Sequence, residues 1–124
     1  MKNEDIKGLD VKKGMALVAN NKAIYLRLLK SFVNNSFCDQ LIEAIANGDM
    51  EQVSLKAHSF KGVAGNMHMA ELYELSRLIE ADVKNGVNIT AADDNVIKII
   101  DANAQTLKSV NMILEGPDVL DTIS

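Results

Sequence analysis

His58, Ser59, Phe60, Lys61 and Gly62 make up the stretch of the chain best suited to chemistry. An imidazole with an ordinary pKa near about 6.5 is mostly neutral at pH 7 and therefore nucleophilic. On a helical wheel at roughly 100° per residue, Val53, Ala57, Phe60, Ala64 and Met67 fall on one apolar stripe. His58 lies about 140° from the centre of that stripe, so it is expected to face outward. Lys61 stands one turn on, at the stripe's border. Gly62 and Gly65 share His58's side of the helix. Each glycine costs a helix roughly 1 kcal/mol relative to alanine. Either another helix crosses too closely for a side chain, or the surface beside His58 is kept bare for a macromolecule to approach. Both glycines fall on the outward side, which favours the bare surface.

The charge pattern agrees with that reading. No acidic residue occurs between Glu51 and Glu71, whereas Lys56 and Lys61 do. Cations stabilise the oxygens of a phosphoryl group on an imidazole, and carboxylates repel them. The stretch shows no Mg²⁺-binding carboxylate cluster, no phosphate-cradling loop and no general base. It is expected to hold a phosphoryl group but not to draw one from ATP.

The helices that must position these residues are legible in the composition. The chain has 124 residues, 48% of them hydrophobic but only 4% aromatic, with no Trp and one Pro. That suits a single domain with a core of packed helices. A net charge of −4 argues against a nucleic-acid binder. Cys38 is alone and reads as a small core residue. The polar start Met1-Lys2-Asn3-Glu4-Asp5 is no signal peptide, and no apolar run is long enough to span a membrane. A cytoplasmic, soluble protein is expected.

Helix signals divide the chain further. A short first helix is expected over Val11–Ala19, capped by Asp10, and a long second one over Lys22–Ala46, stopped by Asn47-Gly48. Asp49 and Gln52 have capping-box spacing ahead of a third helix that ends near Gly65-Asn66. A fourth covers Ala70–Lys84, burying Leu72, Leu75, Ile79 and Val83. The last runs over Ala91–Leu114 with Val96, Ile100, Leu107, Val110 and Leu114 inward, leaving residues 116–124 as a tail of uncertain order. Short connections favour antiparallel neighbours. The expected architecture is all-α, an antiparallel four-helix bundle with a short additional N-terminal helix, in one domain with its core at about 8–115.

His58-Ser59-Phe60-Lys61-Gly62 followed by Ala64 resembles the His-x-x-Lys-Gly-x-Ala/Ser signature of histidine phosphotransfer (HPt) domains. Leu9-Asp10-Val11 with Gly14, Tyr25-Leu26, Leu28-Leu29 and Phe32 resemble the family's opening. Gly48-Asp49 before the signature, and Leu72, Leu75 and Leu78 to Glu80 after it, extend the likeness over about residues 8–115. The resemblance implies a phosphoryl carrier in two-component relays with no kinase activity of its own. His58 would be the phosphoacceptor, Lys61 the cation beside the phosphate, and Ser54, Leu55, Gly62 and Gly65 the docking surface. The implied partners are response-regulator receiver domains or a hybrid sensor histidine kinase. No cofactor of its own is expected, since Mg²⁺ would come with the receiver, and the protein is expected to be a monomer. Met1 and the lack of a linker lean towards a free-standing protein.

One position departs from the family pattern. His68 stands where Gly is usual, which implies a positive φ or close packing near a turn; His tolerates positive φ better than most residues. His68 is also a rival acceptor, though it lacks a Lys-Gly setting. A docking module that binds receivers without accepting phosphate, and a metal- or haem-binding bundle using His58 and His68, are the other readings. The latter needs inward, clustered ligands.

Overall fold

Short polar side chains open three of the helices in the computed structural model, which describes residues 1–124. Asp10 accepts from the Lys13 amide (3.0 Å) ahead of α1, Val11–Leu17. Asn21 accepts from the Ile24 amide (3.1 Å) ahead of α2, Lys22–Asn35. Asp49 accepts from the Gln52 amide (3.2 Å) ahead of α4, Met50–Asn66. Each cap satisfies an amide the helix leaves free and contributes about 1 kcal/mol. Only half of the expected Asp49–Gln52 box forms, because the Asp49 amide donates to the Ala44 carbonyl instead.

The remaining helices are α3 (Phe37–Ala46), α5 (Ala70–Lys84) and α6 (Asp94–Glu115). α4 packs between α3 and α5, and α6 lies on α5 and closes the ring against α2 and α3. With α2 and α3 as one limb, this is the expected four-helix bundle, and α1 rests on α2.

The expected helix over Lys22–Ala46 is in fact two. Ser36 takes a left-handed conformation (φ 50°, ψ 49°) and breaks it, at a cost of roughly 1–2 kcal/mol for a residue with a side chain. Packing explains the break. In an unbroken helix, Phe32 and Phe37 would sit about 140° apart. With the bend, Phe32, Phe37 and Phe60 form one aromatic cluster with ring centroids 6.1–6.5 Å apart.

α6 also differs from its expected register. It starts at Asp94 and buries Val96, Ile99, Ala102, Thr106, Val110 and Ile113, leaving Ile100 46% exposed and Leu114 partly exposed. Thr106 can be inside because its hydroxyl donates to the Ala102 carbonyl (2.9 Å). Gly8, at φ 88°, rests directly on Thr106, where a Cβ would lie 2.2 Å from Oγ1. Val83, expected inside on α5, is only partly buried.

The tail is ordered. Pro117–Thr122 forms a 3-10 helix, and Val119, Leu120 and Ile123 pack on the core. Lys22 bridges to Asp118 (3.3 Å) and Asp121 (3.1 Å), and the Asn3 amide donates to the Ser124 carbonyl (3.0 Å). No helix is long and apolar enough to cross a membrane.

Candidate functional site

α4 buries Val53, Ala57, Phe60, Ala64 and Met67, the stripe expected from the wheel. His58 therefore stands on the outer side, with its side chain 66% exposed. α4 and α5 are antiparallel arms joined through a turn at Met69. His58 and Glu80 each lie eleven residues from Met69, and Gly65 and Tyr73 each lie four. Both pairs meet across the helix–helix seam.

Glu80, which the sequence offers only as part of the family likeness, completes the site. Its side chain is only 6% exposed. Oε2 accepts from His58 Nδ1 at 2.8 Å and Oε1 accepts from Lys61 Nζ at 2.6 Å. Lys84, one turn further along α5, places Nζ 3.5 Å from Oε2. Burial pushes the Glu80 carboxyl up, but hydrogen bonds from Lys61 and His58 and the charges of Lys61 and Lys84 outweigh it. The net effect holds the carboxyl below its ordinary range. An ionised carboxylate can only accept, so Nδ1 carries the ring proton and the lone pair of the neutral ring is on Nε2.

This overturns one expectation. The acid-free stretch of sequence is not an acid-free surface in space, because α5 supplies a carboxylate from across the seam. Glu80 does not, however, stand open beside the ring, and Lys61 and Lys84 together carry one more charge than it does. The cluster is net positive when the ring is neutral.

The other sequence candidates spread along the same face. Leu55 is exposed and Ser54 half-buried, one turn before His58. Gly62, one turn after, is open: a Cβ there would meet nothing within 4 Å. Gly65 is different. A Cβ would approach Tyr73 Cδ2 to 3.2 Å, so the close-crossing explanation applies to Gly65 and the bare-surface explanation to Gly62. His68 has φ 55° in the α4–α5 turn, and its carbonyl accepts from the Asp10 amide at 3.0 Å. His58 and His68 do not combine with other donors, and no group of three His, Cys, Asp or Glu side chains is arranged around a metal position. Cys38 is buried, and burial followed by the nearby Asp39 charge pushes its thiol up to about 11, which leaves it unreactive.

The family model of the Hpt domain matches residues 34–109, which include the whole cluster around Glu80. The chain belongs to the Hpt family. Hpt domains are phosphocarrier modules, not kinases, of two-component phosphorelays, and they interact with receiver domains or histidine kinases. The crystal structure of the HPT domain from a Shewanella hybrid sensor histidine kinase has the same fold. It aligns with a TM-score of 0.76 over 87% of this chain and 94% of that one, at 14% identity. No curated protein matches the chain by sequence.

Proposed function

We propose that this Hpt domain carries its phosphoryl group on Nε2 of His58, taking it from and passing it to the aspartate of a receiver domain. The observation that carries the reading is the Glu80–His58 hydrogen bond of 2.8 Å. It commits Nδ1 as a donor, which leaves the nucleophilic lone pair on the nitrogen that has no protein partner, on a ring largely open to solvent.

The charge arrangement supports the same chemistry. In-line phosphoryl transfer needs positioning and stabilisation of the equatorial oxygens more than covalent assistance. Glu80 orients the ring, while Lys61 and Lys84 offer cations to the oxygens. The 2.6 Å bond to Glu80 already holds Lys61 in the cluster, whereas Lys84, 3.5 Å from Oε2 and mostly exposed, is free to swing to the oxygens. Mg²⁺ on the receiver would supply the rest of the charge neutralisation. The open backbone at Gly62 and the exposed Leu55 give the receiver a surface on which to dock, extended by Ser54, whereas Gly65 serves the close approach of Tyr73. With a net charge of −4 and no helix able to cross a membrane, our reading is of a monomeric cytoplasmic carrier without nucleic-acid partners.

The test is uptake of phosphate from a phosphorylated receiver domain. His58→Gln should keep the helical fold and lose all uptake. Unchanged labelling of that variant would refute the assignment.

A further inference from the structure

Release of a phosphoryl group from imidazole depends on the proton at the other nitrogen. With Nδ1 protonated, breaking the Nε2–P bond returns the bonding pair to Nε2 and expels a neutral ring. Without that proton the same cleavage expels an imidazolate anion, a far poorer leaving group. The Nδ1 proton thus separates a transferable phosphohistidine from an inert one.

In this protein the atom facing Nδ1 is an oxygen of a nearly sealed carboxylate, Glu80 Oε2 at 2.8 Å. Lys61 at 2.6 Å holds the other oxygen, which fixes the plane of the carboxylate against the ring. The charged or titratable groups that meet Glu80 are His58 and Lys61 from α4 and Lys84 from α5; α3 and α6 bring no ionic partner to it. Phosphoryl oxygens on Nε2 would compete with Glu80 for both lysines. Whatever share they win leaves the carboxylate's charge less neutralised and its hold on Nδ1–H stronger.

Resting on the carrier reading above, we propose that Glu80 retains the Nδ1 proton on phosphorylated His58 and so keeps the phosphoryl group in its transferable form at neutral pH. The step balances. The Nε2–P bond breaks, a P–O bond forms to a carboxylate oxygen of the receiver aspartate, the electron pair stays on Nε2, and the proton stays on Nδ1. Glu80 remains ionised throughout. Its charge is what matters, since a neutral acceptor would orient the ring equally well but hold the proton less firmly. Glu80 is in this sense a positioning residue whose effect reaches the reacting bond through the imidazole.

The test loads the protein with phosphoramidate, a small phosphodonor that needs no receiver. Protonation of Nδ1 is then followed against pH by ¹H–¹⁵N NMR of the ring, together with the rate of phosphate loss. The wild-type midpoint should lie about one pH unit above that of phosphohistidine in an unfolded peptide. Glu80→Gln, which keeps the shape and the hydrogen-bond acceptor, should return the midpoint to the peptide value and slow phosphate loss about tenfold at pH above both midpoints. Equal midpoints in wild type and variant would overturn the proposal. So would a wild-type ring that titrates like the peptide, a result that requires no variant to fold. Because phosphoramidate bypasses the receiver, failure here is separate from failure of the carrier reading, which shows in receiver transfer.

Discussion

His58 Nδ1 and Glu80 Oε2 lie 2.8 Å apart across the α4–α5 seam, one on a ring mostly in water and the other on a carboxylate almost sealed from it. The pair divides one imidazole between two tasks. Nδ1 is tied to the scaffold, and Nε2 is left to a partner. A buried carboxylate would be costly alone, but His58, Lys61 and Lys84 compensate it. With the ring neutral, Lys61 and Lys84 leave the cluster one positive charge in excess of Glu80, to be set against the negative charge of an arriving phosphoryl group.

Removing the carboxylate should separate stability from chemistry. Glu80→Ala strands the Lys61 and His58 donors, although both can reach water, and is expected to cost about 1–3 kcal/mol in urea denaturation. Loading of His58 by phosphoramidate should also slow, because the ring is free to rotate and to populate the other tautomer. A variant with reduced stability but wild-type loading would show that the ring needs no holding.

The two lysines should be partly interchangeable. Lys61→Ala or Lys84→Ala alone is expected to slow transfer from a phosphorylated receiver without stopping it. The double variant should lose more than the sum of the singles in free-energy terms, because neighbours on one carboxylate couple. Strict additivity in a double-mutant cycle would mean that Lys84 acts apart from the site.

Gly62 and Gly65 should respond differently to a side chain. Nothing lies within 4 Å of a Cβ at Gly62, so Gly62→Gln should leave the fold intact and stabilise α4 by about 0.5 kcal/mol. It should slow receiver transfer yet leave phosphoramidate loading unchanged, the mark of an obstructed docking surface. Gly65→Ala instead has to move the Tyr73 ring, since its Cβ would lie 3.2 Å from Cδ2. The expected sign is a shift in Tyr73 fluorescence or NMR signals with transfer little changed.

Stability should depend on pH through Glu80. Its carboxyl is held below the ordinary 4.5 in the folded protein. The ionised form therefore favours folding: its contribution is full above the unfolded value and is lost as pH falls through the folded one. Glu80→Gln should flatten the acid limb of the stability curve below about pH 4.5. An acid limb as steep as the wild type's would assign the acid sensitivity to other carboxyls.

The outward His58 and the core stripe of α4 were legible because a single helix sets both, and periodicity within one helix is what a sequence displays most directly. Glu80 was not, because it reaches the site from the next helix. A signal was nonetheless present: folding α4 and α5 back about Met69 brings position 80 opposite 58. The break at Ser36 had a signal that a single long helix overlooks: at roughly 100° per residue Phe32 and Leu41 would fall about 180° apart, with the polar run Asn34-Asn35-Ser36 between them, and stacking of Phe37 on Phe32 and Phe60 accompanies the bend. On α6, Ile97, Ile99 and Ile100 offer competing faces. The buried one includes Thr106, a polar residue that satisfies its own hydroxyl and so escapes a reading based on apolar residues alone.

The division of the imidazole between Glu80 and a partner is tested by identifying the nitrogen that carries phosphorus in protein charged by a phosphorylated receiver, using ³¹P–¹⁵N couplings in the ring of His58. Phosphorus is expected on Nε2 of His58, with a proton on Nδ1 facing Glu80. Phosphorus on Nδ1, or on His68, would contradict it.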